Sequence, residues 1–195
     1  MDMSIEQFLT DVLHIHKPET VKRMANCGKI RRVKAKEILY YQGDVPDSIA
    51  FLINGIVRSF VLNEKGEDST ECFDFKPGWP VVPSIPITAP ASVNVEASVD
   101  STLILLPVAE VWGLIQTDIE VSQVYIQLLC QSMAKYVEFT RALMHYAAPQ
   151  RYEWFLQAYG AINGQVSNKE IASFLNMSPV TLSKIRQSTK HKCNQ

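Results

Sequence analysis

Short apolar runs separated by turn residues occupy the chain from about residue 30 to residue 107. The dipeptide Asn54-Gly55 lies between two such runs and is a strong hairpin signal, because both residues tolerate positive φ. Four prolines fall between Trp79 and Pro90, which predicts an irregular loop that interrupts the strands. The spacing of the runs predicts an antiparallel sandwich or roll. The predicted strands are Glu37–Tyr41, Ile49–Ile53, Ile56–Leu62, Ser69–Phe75, Val93–Ser98 and Thr102–Leu106.

Helical patterns flank this β region on both sides. Before it, residues 4–14 form an amphipathic pattern and a second short helix is expected from Pro18 to Cys27. After it, a short helix is expected over Val108–Gln116. Thr117 and Glu120 then form a capping-box pattern, which predicts the start of a helix that meets no Gly or Pro until Pro149.

Apolar and aromatic residues recur along this long helix at alternating steps of three and four residues, the spacing of a seam between two helices. A helix of this length beside a small β domain would leave much of the seam in water, so the pattern predicts a two-fold symmetric homodimer. Packing against the helix's own domain is the alternative. The predicted dimer residues are Val121, Tyr125, Leu128, Ser132, Tyr136, Phe139 and Leu143.

The most specific motif lies near the C-terminus. Ser167 and Glu170 form a second capping box, Asn176 stands where the chain must turn sharply, and Ser178-Pro179 is a good start for another helix. These signals predict a helix-turn-helix whose second helix enters the major groove of DNA. Two helices packed only for structural reasons are the alternative. The shared core is expected to hold Ile171, Ala172, Leu175, Met177, Leu182 and Ile185.

The exposed face of the second helix is the candidate DNA surface. Hydroxyl groups and free amides at its start would hold phosphate, whereas Lys184 and Gln187 would reach base edges. Val180 and the methyl group of Thr181 would contact a thymine methyl group. The predicted DNA-binding residues are Ser178, Pro179, Val180, Thr181, Ser183, Lys184, Arg186 and Gln187.

The distribution of charge along the chain agrees with DNA binding by its C-terminal part. The net charge is −1, but residues 148–195 hold six Lys or Arg against two acids, giving +4 there and leaving −5 for residues 1–147. A basic module on an acidic body is expected if only the module touches phosphate. No signal-peptide pattern and no membrane-spanning run is visible, and the four cysteines are scattered. We therefore expect a cytoplasmic protein with reduced thiols, and no membrane partner.

Together these features resemble the Crp/Fnr family of bacterial transcription regulators. The resemblance is carried by Gln42-Gly43-Asp44, Asn54–Arg58, Gly66, Phe75–Gly78 and the motif Lys169–Arg186. It implies an α+β fold: an antiparallel β-roll (double-stranded β-helix or jelly roll) sensor domain, a dimerisation helix and a small all-α helix-turn-helix domain. The expected boundaries are residues 1–116, 117–147 and 148–195. The expected partners are double-stranded DNA, a second copy of the chain and an unidentified small-molecule effector.

Three departures from the family pattern shape the expectations. The stretch corresponding to the phosphate cassette, Gly78 to Ala97, contains no Lys or Arg, and Ala91-Ser92 stand about where the phosphate-binding arginine would fall. We therefore expect no useful binding of cAMP. The isolated Cys27 predicts no iron–sulfur cluster. The chain stops soon after the recognition helix, so the usual wing is missing, and a small hairpin around Asn163-Gly164 is expected to substitute for it.

An effector is expected between the loop of residues 79–95 and the start of the long helix. Two other function classes stay open at this point. An enzyme of the cupin type is disfavoured because none of the four histidines lies in the β region, and no other metal cofactor is expected. A sensor module whose helix-turn-helix no longer binds DNA is the main alternative. The candidate pocket residues, for which core packing is the competing reading, are Trp79, Val81, Val82, Tyr125 and Leu129.

Overall fold

The computed structural model describes residues 3–64 and 66–193, with side chains described as far as Ser188. Two helical segments open the chain and five helices close it. The opening segments are α1, Ile5–Gln7, continued by a π-helical turn over Phe8–Val12, and α2, Pro18–Cys27. The closing helices are α3, Val108–Thr117; α4, Ile119–His145; α5, Ala148–Tyr159; α6, Asn168–Phe174; and α7, Pro179–Cys193.

Eight strands lie between these helical parts and form two four-stranded sheets, ordered β1-β8-β3-β6 and β2-β7-β4-β5. The antiparallel roll expected from the sequence is confirmed, and the strand pairs β1–β8, β3–β8, β3–β6 and β2–β7 are all antiparallel. The strands are β1, Lys29–Val33; β2, Ile38–Tyr40; β3, Ser48–Asn54; β4, Val57–Leu62; β5, Asp68–Asp74; β6, Pro80–Val81; β7, Asn94–Ala97; and β8, Ser101–Pro107.

The turn between β3 and β4 needs glycine for two reasons. Gly55 has φ of +108°, and a Cβ atom built there would collide with Ser101. Ser101 cannot simply move away, because its hydroxyl group accepts a hydrogen bond from the N–H of Ile56 at 3.1 Å. The predicted turn at Asn54-Gly55 is therefore confirmed, and the close approach to β8 is a further reason for glycine. The predicted hairpin is wrong, because β3 and β4 belong to different sheets and do not pair with each other.

The chain divides into two compact units. The first holds residues 1–59 and 73–132, and the second holds residues 60–72 and 133–195. The outer halves of β4 and β5 thus belong to the same unit as α5, α6 and α7, and α4 contributes residues to both units. In the first unit, the N-terminal helices bury Phe8, Leu9 and Met24 in one core with Phe51 of β3.

The start of α4 corrects one prediction. Thr117 does not cap this helix, because it ends α3 and its hydroxyl group donates to the carbonyl of Gly113 at 2.8 Å. Asp118 caps α4 instead, and its carboxylate accepts from the N–H of Glu120 at 3.0 Å. The carboxylate of Glu120 is occupied elsewhere, since it accepts the backbone N–H groups of His16 and Lys17, each at 2.9 Å.

The hairpin expected around Asn163-Gly164 is also wrong. Residues 160–162 form a 3-10 turn, and the N–H of Asn163 donates to the carbonyl of Gly160 at 3.1 Å. The N–H of Gln165 bonds the carbonyl of Ile162 at 3.0 Å in the same tight pattern. Because these backbone groups are satisfied within consecutive turns, no strand forms in this part of the described chain.

Candidate nucleic-acid interface and apolar cleft

Helices α6 and α7 are joined as the sequence predicts. The hydroxyl group of Ser167 accepts from the N–H of Glu170 at 3.2 Å, while the Glu170 carboxylate accepts from the N–H of Ser167 at 2.7 Å. Asn176 adopts φ of +49° in the turn between the helices. Ser178 begins α7, because its hydroxyl group accepts from the N–H of Thr181 at 3.1 Å. The predicted N-caps at Ser167 and Ser178 and the predicted positive φ of Asn176 are therefore confirmed.

The outer face of α7, as far as its side chains are described, is polar except for Pro179 and Val180 at its start, and it includes the cation Lys184. Leu182 and Ile185 are buried beneath this face, and Thr181 is half-buried. Val180 is 65% exposed, which is high for a branched apolar residue and is the exposure that contact with a thymine methyl group requires. The exposed residues of the candidate DNA surface are Ser178, Pro179, Val180, Ser183, Lys184 and Gln187.

Arg186 differs from the other predicted DNA-binding residues. Its guanidinium group donates from Nε to the hydroxyl oxygen of Tyr152 at 3.0 Å and from Nη2 to Oδ1 of Asn163 at 2.6 Å. Its Nη1 donates to Oδ1 of Asn168, and Cζ lies 5.4 Å from the centre of the Tyr152 ring. Arg186 therefore ties α7 to α5, to the following turn and to the start of α6.

An aromatic cluster holds the second unit together. The rings of Phe139 on α4 and Phe174 on α6 stack with centroids 4.6 Å apart. Trp154, Phe155 and Tyr159 of α5 contact the same Phe174 ring at 5.1 to 6.2 Å. Sequence reasoning assigned no helix to residues 148–159, although Pro149 near its start and the aromatic spacing were available as signals.

The tip of the β4–β5 hairpin contacts α6 within the same unit. Lys169 Nζ lies 2.7 Å from Oδ1 of Asp68, and the N–H of Thr70 donates to the hydroxyl group of Ser173 at 2.8 Å. The first helix of the motif is thus bonded to a β-hairpin through Lys169 and Ser173. No sequence signal pointed to this pairing, because the residues are about 100 positions apart.

The first unit contains an apolar cleft of about 640 Å³, measured out to its open mouth. Residues of the N-terminal helices, β3, the proline-rich loop, α3 and the first half of α4 line it. Three of the five predicted pocket residues, Val82, Tyr125 and Leu129, are among them. The other two are not: Val81 is buried in a separate core of the roll, and Trp79 is half-buried outside the lining.

The predicted seam on α4 is largely packed within the chain. Val121 is buried in the first unit's core, Tyr125 and Leu128 pack against it, and Ser132 lines the cleft. Leu143 is half-buried, Phe139 belongs to the aromatic cluster, and Tyr136 is exposed. A second stripe is exposed instead, again at steps of three and four once the half-buried Thr140 is counted. This exposed seam consists of Ile126, Cys130, Met133, Val137 and Met144.

Comparison with known proteins now identifies the fold. Residues 30–118 match the family model of the cyclic nucleotide-binding domain. FixK2 from Bradyrhizobium japonicum has a TM-score of 0.74 at 16% identity, covering 85% of each chain. A structure from Eubacterium rectale described as a crp/fnr-family transcriptional regulator has a TM-score of 0.73 at 16% identity, covering 91% of this chain and 85% of that one. The chain has the Crp/Fnr fold.

A third similar structure is the c-di-GMP-responsive global regulator CLP from Xanthomonas campestris. Its TM-score is 0.71 at 13% identity, covering 90% of this chain and 93% of that chain. No curated protein matches the sequence. The resemblance to Crp/Fnr regulators is therefore confirmed at the level of the cyclic nucleotide-binding domain and the fold.

Within this Crp/Fnr fold, the stretch without Lys or Arg keeps its polar groups occupied. Ala91 is buried, and its N–H donates to the carbonyl of Asp44 at 2.7 Å. The nearby buried cation Arg58 donates from Nε to Oε1 of Glu96 at 2.6 Å, and Lys36 Nζ lies 3.1 Å from the same oxygen. The charge of Arg58 is thus matched by a carboxylate of the protein itself.

The cysteines do not cluster in the part of the chain that is described. Cys27 and Cys72 are half-buried thiols, Cys130 is exposed, and the side chain of Cys193 lies outside the described residues, like those of Lys190, His191 and Lys192. Burial raises the pKa of the Cys27 thiol. Among the side chains that the structure describes, residues 3–64 and 66–188, no three His, Cys, Asp or Glu are grouped to hold a metal ion. The described helices include none long and apolar enough to cross a membrane.

Proposed function

We propose that this chain is a cytoplasmic, DNA-binding transcription regulator of the Crp/Fnr type that acts as a homodimer and responds to an effector other than cAMP. The observation that carries the proposal is the outer face of α7. It presents Lys184, Gln187 and the hydroxyl group of Ser183 to solvent from a helix whose start is capped and whose inner side is buried. Such a face suits phosphate and base contacts in the major groove.

Arg186 acts in this proposal as a positioning residue for α7. Its three hydrogen bonds engage all three guanidinium nitrogens within the fold and hold the group against Tyr152, Asn163 and Asn168. Lys184 has the opposite character, since it is exposed and lies one position before the buried Ile185. We therefore place direct DNA contact on Lys184, Gln187, Ser183 and Val180, and bracing of the helix on Arg186.

Dimerisation is proposed through the exposed seam, with a second copy of the chain as its partner. Five residues spaced for coiled-coil packing stand in solvent along one side of α4. A two-fold axis along this stripe would place each residue near its own counterpart, and it would present two recognition helices, as a palindromic operator requires. The inward-facing stripe is already used within the chain, so it does not compete for this role.

The DNA-binding part of the proposal is tested by gel shift on duplex DNA at several salt concentrations. We expect Lys184→Ala to weaken binding by about tenfold, and to reduce the slope of log affinity against log salt by roughly 0.9 if the amine contacts phosphate. The matched control is Lys76→Ala, an exposed lysine in the first unit, which should bind as the wild type does. Equal affinities for Lys184→Ala and wild type at low salt would reject the assignment of Lys184.

The dimer is tested by sedimentation and by oxidation. Met133 is 63% exposed on the seam, so Met133→Glu should produce monomers, whereas Gln131→Glu, on another face of α4, should leave dimers. Cys130 of each copy would meet its counterpart, so mild oxidation should give a crosslinked dimer that Cys130→Ser abolishes. A dimer that forms but shows no salt-sensitive DNA binding would favour the alternative, a sensor module that has lost DNA binding.

A further inference from the structure

We propose that the apolar cleft of the first unit is the effector site and that its ligand is an uncharged, hydrocarbon-rich small molecule. The inference rests on the proposed regulator function, because that function calls for an effector. It goes further by naming the chemical class of the ligand. Ala91 and Ser92, which stand where the phosphate-binding arginine would fall, are not among the residues that line the cleft.

The lining sets the chemical class. Of the seventeen described residues that line the cleft, none is charged, and only Tyr125 and Ser132 carry a polar side-chain atom. A phosphate or carboxylate placed inside would lose its hydration without gaining a cation, which is strongly unfavourable. A neutral hydrocarbon loses nothing comparable and gains contact with apolar walls. The cleft therefore selects against nucleotides and favours neutral apolar molecules.

The cleft is also built like a binding site rather than a surface depression. Ile15, Met24 and Phe51 form part of its wall, and each is almost completely buried in the core of the unit. Ile85 also belongs to the lining but is 66% exposed in the proline-rich loop.

A second copy of the chain does not account for the cleft. Successive helical residues are rotated by about 100° around the axis, so residues 121, 124, 125 and 128 lie on a different face of α4 from the exposed seam. Leu129 lies between the two faces. Dimerisation through the seam therefore leaves the cleft accessible, and a ligand against Tyr125, Leu128 and Leu129 bears on the helix that carries the seam.

Binding is measured on the full chain without DNA, using the neutral fluorophore N-phenyl-1-naphthylamine as the probe. We expect saturable binding that 1-decanol displaces and cAMP does not. Val82→Trp places a large side chain in the cleft and should weaken binding by at least about tenfold. The matched control Val45→Trp changes a residue that is 70% exposed and outside the lining, so it should bind like the wild type.

Two further measurements protect the test from trivial outcomes. Met133→Glu removes apolar surface from the seam and should leave probe binding unchanged; a loss there would assign the probe to the seam and overturn the proposal. Photolabelling of wild-type chain with benzophenone needs no variant, so it decides the matter even if Val82→Trp fails to fold. Labels mapped by mass spectrometry should fall on cleft residues such as Met24, Ile85 and Leu129, and labels elsewhere would overturn the proposal.

The effector role is then tested by gel shift with and without 1-decanol. A change in DNA affinity that Val82→Trp abolishes supports the proposal. DNA binding that is intact but indifferent to the probe and to 1-decanol overturns the effector site and leaves the regulator function standing. Saturable, Val82-dependent binding in a chain that never binds DNA overturns the regulator function, and the effector role falls with it.

Discussion

Replacing Arg186 with lysine tests whether its guanidinium group holds α7 in position or contacts DNA bases. The substitution keeps one positive charge at the same position but replaces a planar fork of five donors with a single ammonium group. Arg186 now bonds Tyr152, Asn163 and Asn168, which lie on or beside three different elements. A lysine ammonium can hold one of these acceptors but not all three, because its donors do not span the same geometry.

The expected loss follows from the contacts that disappear. Two hydrogen bonds from a half-exposed cation, at roughly 0.5–1.5 kcal/mol each, and stacking on Tyr152 amount to about 2 kcal/mol. For a chain of this size, about 2 kcal/mol lowers the melting temperature by roughly 4–8 °C. DNA affinity should fall because α7 is less well held, while the salt dependence of binding stays unchanged because the charge is kept.

The assay pairs thermal unfolding with gel shift for three proteins: wild type, Arg186→Lys and Lys184→Ala. Lys184→Ala serves as the opposite case. It should show weaker DNA binding and a melting temperature close to that of the wild type, since the Lys184 side chain is exposed. If Arg186→Lys melts like the wild type but loses discrimination between operator sequences, the guanidinium group reads bases, and the bracing role is refuted.

Two further predictions concern stability in the first unit. The hydrogen bond from Thr20 is the main cause of the lowered pKa of Asp118. The carboxylate therefore stabilises the fold above its ordinary pKa near 3.8, and this contribution is lost as pH falls through the lowered value. The difference in melting temperature between wild type and Asp118→Asn should narrow below about pH 4, and a difference independent of pH would contradict this. Gly55→Ala should lower the free energy of unfolding by at least about 2 kcal/mol, because alanine is strained at positive φ and its methyl group collides with Ser101. The control in urea unfolding is Gly43→Ala, where φ is also positive but the space is open. The difference between the two variants measures the contribution of the collision alone.

The elements that could be predicted are those whose cause is local. Caps, turns and positive φ depend on a few consecutive residues, so Ser167, Glu170 and Asn176 were assigned correctly from the sequence alone. Strand β1, Lys29–Val33, was not, because all but its last residue are exposed and it carries charges where an apolar run was sought. Its position depends on pairing with β8, which is a long-range contact.

Adjacent residues of similar chemistry mark another limit of sequence reasoning. Thr117 and Asp118 are both good capping residues, and the spacing of Thr117 to Glu120 favoured the threonine. The structure selects Asp118 because its carboxylate also accepts the hydroxyl group of Thr20, 98 positions earlier, at 2.6 Å. A capping-box pattern cannot reveal such a partner. The same holds for Arg186, whose acceptors lie 18 to 34 positions away.

Helix α4 shows most clearly why a seam pattern alone does not settle an interface. The helix carries two stripes at steps of three and four, and each satisfies the spacing that helix packing requires. The stripe through Val121, Leu128 and Phe139 has the larger and more aromatic side chains, so it bears on the cores of the chain itself. The stripe through Ile126, Met133 and Val137 stays exposed, and it is the stripe that we propose contacts a second copy of the chain. Periodicity identifies both stripes, but it does not show which of them packs within the chain. Tertiary packing decides that.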